Sequence, residues 1–270
     1  MPFILPNPYS AIPGIEVHTI DTASDSPTNS NNNSPSLSVR IANSPIPKTT
    51  DPIERDWALQ VSKNPRLYSG PLLAVISIDF DTGEFYCRRD EFKRLVVQPR
   101  VMTGVRLLAV CGVLLAPDER GRDHLLLGRR GEKTRIYPGQ WETVPAGGVS
   151  PPAPNITMLD EHALKENLYE EMHEELGVSA EHGFEIGPPR ALVRDHIAYS
   201  DDIAFEIRAP SLESARHHLA AAASQPHMRH NWEYSDTRWI ALDEIAAFDA
   251  KHASEIIAPT RALFRVLGWM

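Results

Sequence analysis

Residues 170–178 read Glu-Glu-Met-His-Glu-Glu-Leu-Gly-Val, and three of the carboxylates, Glu171, Glu174 and Glu175, stand three and four positions apart. On a helix turning about 100° per residue they fall within an arc of roughly 100°. Like charges that close repel one another in an isolated helix. A cation between them removes the repulsion, and a hard divalent ion such as Mg²⁺ prefers carboxylate oxygen. In outline the stretch is a metal cradle.

The cradle needs a helix to carry it. The pattern predicts one over residues 160–177, with Asp160 as N-cap and Gly177 as its stop. Leu164, Leu168, Met172 and Leu176 recur along the neighbouring face and should pack into a core. Glu166, Glu170 and His173 should face solvent. Upstream, residues 53–63 read as a helix that ends at Asn64-Pro65. Two β-rich runs, residues 72–80 and 84–89, flank the turn Asp81-Thr82-Gly83 and predict a hairpin. Residues 105–115 and 124–130 are strand candidates separated by a turn at 117–121. Further strands are expected at 190–198, 202–208 and 236–242, a helix at 211–223, and a closing helix from Asp243. This unbroken mixture of strands and helices suggests a single α/β sandwich.

Residues 1–50 are expected to form a disordered tail, because the stretch 21–50 is dominated by Ser, Thr, Asn, Asp and Pro. A helix and hairpin over 51–103 should pack on the main domain, 104–270. The net charge of −9 argues against partners bound by phosphate neutralisation, so no nucleic acid is expected. No apolar run approaches the roughly 18 residues of a membrane span, and the proline-broken start does not read as a secretory signal. The expected compartment is the cytoplasm, with no membrane partner. The two cysteines, Cys87 and Cys111, have no Cys-x-x-Cys spacing and read as small buried residues.

The acidic helix gains meaning from what precedes it. Gly139-x-Trp141-Glu142-x-x-Pro145-x-Gly147-Gly148-Val149, followed by Glu171-x-x-Glu174-Glu175-x-Gly177-Val178, resembles the Nudix box of the Nudix hydrolase superfamily. Leu125-Leu126-Leu127-Gly128-Arg129-Arg130 before the box and residues 238–245 after it strengthen the resemblance, which covers roughly 104–250. It implies a Nudix-type α/β/α sandwich with a mixed sheet, plus an N-terminal extension. It also implies a metal-dependent pyrophosphohydrolase that cleaves the diphosphate bond of a nucleoside diphosphate linked to another moiety, with Mg²⁺ or Mn²⁺ as cofactor and a homodimer allowed. Glu171, Glu174 and Glu175 are then the metal ligands, Gly148 offers a carbonyl, and Glu174 and Glu233 are the catalytic candidates. Glu206 is a second candidate for the base. Arg130, Arg194 and Trp232 are candidate substrate contacts; His227 and His230 share the loop of Trp232, as does Tyr234, whose ring could stack on a base or sugar.

The box departs from the family pattern in three places. The segment between Gly148 and the helix is eight residues longer than usual, His162 replaces a glutamate, and Glu170 replaces an arginine that would orient a ligand carboxylate. Arg194, Lys165 and Arg130 are the cations that could compensate. Residues 64–71 and 88–94 are similar to the Nudix branch that hydrolyses UDP-sugars; ADP-ribose and dinucleotides are the other substrate classes. Two alternative readings remain: a non-catalytic Nudix nucleotide sensor, and an isoprenoid diphosphate isomerase using Cys111.

Overall fold

Residues 107–117 are almost wholly apolar, and a strand of that composition has to be covered on both faces. In the computed structural model, which describes residues 12–20, 37–225 and 233–270, this segment is the central strand β5 (Leu107–Pro117). Two strands precede it at the N-terminal side, β1 (Ile15–Thr19) and β2 (Ser38–Ala42). Helix α1 (Asp51–Lys63), the hairpin β3 (Pro71–Asp79) and β4 (Glu84–Glu91), and the short helix α2 (Phe92–Val97) complete that part. After β5 come β6 (Asp123–Arg130), β7 (Trp141–Thr143), β8 (Ala146–Gly148) and β9 (Met158–Asp160).

Helix α3 (Glu161–Glu171) follows, running directly into a π-helical turn, Met172–Leu176. Then come β10 (Glu185–Asp195), β11 (Ser200–Arg208), α4 (Leu212–Ala223), β12 (Tyr234–Ala241), α5 (Ile245–His252) and α6 (Ala258–Val266). The closing helix anticipated from Asp243 is thus a 3₁₀ turn followed by two helices.

All twelve strands of the described residues belong to one mixed sheet, whose longest path runs β1-β10-β11-β5-β3-β4-β2-β9. Strand β11 lies parallel to β5, while β8 and β6 pair antiparallel with the other edge of β5, at Ala109–Cys111 and Leu115–Pro117 respectively. One face of the sheet, with Leu108, Val110 and Leu114, is covered by Leu164 and Leu168 of α3 and by Leu212 and Ala215 of α4. The other face, with Cys111, Val113 and Leu115, is covered by Phe248 of α5 and by Leu263 and Phe264 of α6. Helices on both faces of a mixed sheet make the expected α/β/α sandwich. Among the described residues no helix is long and apolar enough to cross a membrane. Cys87 and Cys111 are both free and buried.

One expectation is corrected. Residues 15–19 and 38–42, assigned above to a disordered tail, are strands with their apolar side chains buried in the core: Ile15, Val17, Val39 and Ile41 are each at most 3 % exposed. Alternating apolar residues in these two segments bury enough surface to order them despite the polar run between. The rest of that tail lies outside the described residues, apart from 12–14, Ile20, Leu37 and 43–50. The proline-rich segment between Gly148 and α3 carries a strand of its own. It ends in β9, which pairs with β2 at Ser38↔Asp160, so N-terminal strand and insertion complete each other. Arg89 of β4 holds the insertion by donating to the carbonyls of Pro152 (2.8 Å), Ala153 (2.9 Å) and Ile156 (3.0 Å).

Candidate active site

The acidic helix starts where the sequence puts it. Asp160 accepts a hydrogen bond from the Ala163 amide at 2.9 Å, satisfying an end group that would otherwise lack a partner. Leu164, Leu168, Met172 and Leu176 are all buried and fix the helix to the sheet. Gly177 ends it in the left-handed region, at φ 67°. Glu166, Glu170 and His173 are exposed, as their positions required.

The π turn changes how the three carboxylates are displayed. It widens the spacing per turn just after Glu171, so the regular α-helical arc does not apply to Glu174 and Glu175. Glu174 is exposed, Glu175 is buried at 7 %, and Glu171 lies between these extremes. Glu175 Oε2 accepts from the Ala146 amide (3.0 Å) and from the Tyr234 hydroxyl (3.1 Å). Gly128 on β6 leaves room for that tyrosine, since a Cβ there would come within 2.7 Å of the ring. Glu171 sits directly over Gly147, and a Cβ built on Gly147 would collide with its carboxylate. Gly147 thus leaves open the space that the Glu171 carboxylate fills.

Glu233 joins this group from the strand side of the fold. Its backbone carbonyl accepts from the Gly131 amide at 2.7 Å, and its carboxylate acts on both Glu171 and Glu175. The crowding has an electrostatic signature. Burial, with Glu174 and Glu233 adding repulsion, pushes the Glu171 carboxyl up to about 7. Burial and Glu233 push Glu175 well above the usual carboxylate range. Crowded carboxylates that resist ionisation in a protein without a cation are what a divalent ion would relieve. The donor set of hard oxygens fits Mg²⁺ or Mn²⁺, although among the described residues no three His, Cys, Asp or Glu side chains already converge on one ligating point.

Gly147 and Glu233 also line a cavity of about 300 Å³ on the α5/α6 face of the sheet. Arg130, the first predicted substrate contact, lies in it and donates to Glu142 at 2.5 Å. Burial raises Glu142 above its ordinary range in spite of that cation. Arg135, also in the lining, stands over the Phe92 ring of α2 at 5.8 Å, and burial lowers its guanidinium to about 10. Tyr137, held at φ 54° where non-glycine residues are rare, donates its hydroxyl to Asp195 at 2.7 Å. Asp202 completes the polar part of the lining.

Other candidates lie elsewhere. Arg194 is corrected: strand alternation sends it to the face opposite its lining neighbours Val193 and Asp195, where it donates to Asp201 at 2.7 Å. Lys165 pairs with Glu161 (2.8 Å), so it does not replace the missing arginine. Glu206, the second candidate base, pairs with Arg190 and Arg208 (2.6 Å each). Gly148 lines the cavity while pairing with Ala109. Trp232, His227 and His230 lie outside the described residues.

Asp195, Asp202, Tyr137 and Arg135 were not anticipated. A signal for the aspartates existed: Asp195, Asp201 and Asp202 interrupt or open otherwise apolar strand segments, where carboxylates are rare without a function or a partner.

A NUDIX domain family model matches residues 105–260. Among solved structures the chain is similar to a Nudix hydrolase from M. smegmatis, at 17 % identity over 60 % of this chain and 83 % of that one, with a TM-score of 0.39. It is also similar to a MutT protein from Methanosarcina mazei Go1, at 20 % identity over 59 % and 91 %, with a TM-score of 0.35. A third is a bifunctional NMN adenylyltransferase/ADP ribose pyrophosphatase from Francisella tularensis, at 12 % identity over 65 % and 44 %, with a TM-score of 0.40. No curated protein matches the chain.

Proposed function

Because the chain belongs to the NUDIX family, we propose that it is a pyrophosphohydrolase that cleaves the diphosphate bond of a nucleoside diphosphate joined to a second moiety. The substrate classes are a nucleotide sugar, ADP-ribose or a dinucleotide, acted on in the cytoplasm. The observation that carries this reading is that Glu233, whose carboxylate acts on both Glu171 and Glu175, lines a cavity sized for part of a nucleotide.

Glu171, Glu174 and Glu175 would hold Mg²⁺ or Mn²⁺, with the Gly148 carbonyl of β8 as the further oxygen donor. Bound there, the ion supplies charge neutralisation at the diphosphate oxygens and a more acidic water. Glu175 is positioned for its part by Ala146 and Tyr234. Glu233, which lines the cavity beside the acidic helix, is the residue we assign as general base for the attacking water. Arg130, with Glu142 fixing its direction, points a cation into the cavity that can meet a phosphate. Phe92 and Leu95 bring the 51–103 segment into the wall, so that segment takes part in substrate choice.

The test is turnover of a panel of nucleotide sugars, ADP-ribose and dinucleotides with Mg²⁺ or Mn²⁺, followed by release of nucleoside monophosphate. Glu174→Gln should lower kcat by at least about a hundredfold, in the range of a lost catalytic carboxylate. Absence of turnover for every compound, with wild type and Glu174→Gln alike, would overturn the reading.

Two observations favour the sensor alternative: Glu170 occupies the place of the orienting arginine, and Glu175 is already engaged by an amide and a hydroxyl. Metal-dependent nucleotide binding without product would support it. The isomerase reading loses ground, since burial keeps the Cys111 thiol protonated far above neutral pH and no histidine of the described residues lines the cavity.

A further inference from the structure

The cavity lining combines residues next to the acidic helix with a second set of carboxylates. Gly147 and Glu233 are the residues beside the helix; elsewhere in the lining Asp195, Asp202 and Glu142 supply negative charge. Two of these three carboxylates are already occupied. Asp195 receives the Tyr137 hydroxyl (2.7 Å) and the amides of Ile197 (2.6 Å) and Ala198 (3.0 Å). Glu142 is matched by Arg130. Asp202 is different: among the described residues its hydrogen-bond donor is the Ser200 hydroxyl, which reaches Oδ2 at 2.9 Å. That leaves Oδ1 as a further acceptor on a side chain that lines the cavity.

The chemistry narrows the occupant. A phosphate placed by Asp202 would face carboxylates on three strands, so the diphosphate does not belong there. A sugar would set hydroxyls against the apolar stretch Ala109, Val193, Ile257 and Leu263, which offers them no partner. A planar heterocycle suits such apolar walls and can direct its polar edge at a single carboxylate. About 300 Å³ is at the small end of ligand pockets, enough for one such ring system and too little for a whole dinucleotide.

We infer that the cavity holds the nucleobase of the substrate and that Asp202, oriented by Ser200, reads its hydrogen-bonding edge, selecting a base with two adjacent N–H donors such as guanine. The inference rests on the reading that the diphosphate is cleaved at the neighbouring acidic helix. Guanine offers its ring N–H and amino group side by side to the two oxygens of one carboxylate. Uracil offers a single N–H between two carbonyl oxygens, and adenine an amino group beside an acceptor nitrogen, so each sets an oxygen or a lone pair against the carboxylate. The preference departs from the uridine resemblance of residues 64–71 and 88–94. Burial, with Ser200 opposing and Asp195, Asp201 and Glu142 adding to it, holds the Asp202 carboxyl at about 7, and Cys111 and Tyr137 are the other titratable groups beside it. A donor pair that favours the ionised form would therefore bind with release of a proton near neutral pH.

The experiment is calorimetric titration of the full chain with GMP, AMP and UMP, alongside hydrolysis of guanosine, adenosine and uridine diphosphate sugars. Wild type should favour guanine over uracil by roughly ten- to hundredfold, the range for one bidentate base contact. Asp202→Asn, whose amide offers one donor and one acceptor, should weaken GMP about tenfold or more and shift the preference toward adenine. Ser200→Ala should narrow the guanine preference without reversing it, and it carries the test if Asp202→Asn does not fold. UMP binding as well as GMP, no nucleotide binding at all, or an unchanged preference in folded variants would overturn the inference. Hydrolysis that is indifferent to the base sinks the inference and leaves the enzymatic reading intact. Guanine-selective binding without hydrolysis does the reverse.

Discussion

The Glu171 carboxylate lies against the backbone of Gly147, in the space that a side chain on that glycine would fill. The two residues are far apart in sequence and on different elements, yet neither can be changed without moving the other. Gly147→Ala should therefore displace Glu171 and cut kcat/KM by about a hundredfold, while global stability changes little. Gly148→Ala is the control, because its Cβ would meet only the flexible end of Leu107 at 3.2 Å. Steady-state kinetics of the two variants side by side check this, and equal losses would contradict it.

The pair Arg130–Glu142 sets a second expectation. Glu142 is 4 % exposed, and removing its cation leaves a buried carboxylate without compensation. Arg130→Ala should cost about 3 kcal/mol in denaturant unfolding, the low end for a broken buried pair, because Arg130 keeps 24 % exposure. Glu142→Gln should cost less, since its neutral amide still accepts from Arg130. The reverse order would mean that the charge of Glu142 is not the issue.

Asp202 gives the stability a definite pH dependence. Its carboxyl rises from 3.8 in the unfolded chain to about 7 in the fold, chiefly through burial. Between those values the folded state binds the extra proton, so stability falls as pH rises from about 4 to 7. Asp202→Asn removes this contribution. The variant should unfold a few degrees higher than wild type at pH 8 and show a smaller difference at pH 4. Melting curves across that range decide the matter, and a difference that grows toward acid would refute it.

Arg89 predicts a local effect. Its guanidinium is the shared donor to three carbonyls of the insertion, and Arg89→Ala leaves all three to solvent. Hydrogen exchange over residues 150–160 should speed up by at least tenfold, with global unfolding lowered by about 2 kcal/mol. Arg89→Lys should rescue only part of this, because an ammonium lacks the planar fork that spans the three acceptors.

Much of the site was legible before any coordinates, and the reason is local periodicity. Leu164, Leu168, Met172 and Leu176 share one face because helical spacing puts them there, and Asp160 and Gly177 bound the helix through their own backbone chemistry. What stayed hidden depends on partners distant in the chain. The pairing Ser38↔Asp160 joins a segment expected to be disordered to the end of the lengthened segment before the helix, and neither announces the other. Arg194 was misplaced because its face follows from strand register, which only the pairing with β11 sets. The π turn separated Glu174 from Glu175 although their spacing suggested a shared direction. Asp202 was passed over because a carboxylate in a strand gains meaning only from the cavity it faces.

The pairing of β2 with β9 bears on how this chain tolerates editing of its length. The insertion is not a free loop that can be trimmed to the common box size, because shortening it would strip β2 of its neighbour and bare a row of backbone donors and acceptors. Such an edge is a template for recruiting other strands. A trimmed variant would thus suffer in solubility before it suffered in catalysis, and the same holds for a protein cut just after Ala42. The two additions to the domain have to be gained or lost together.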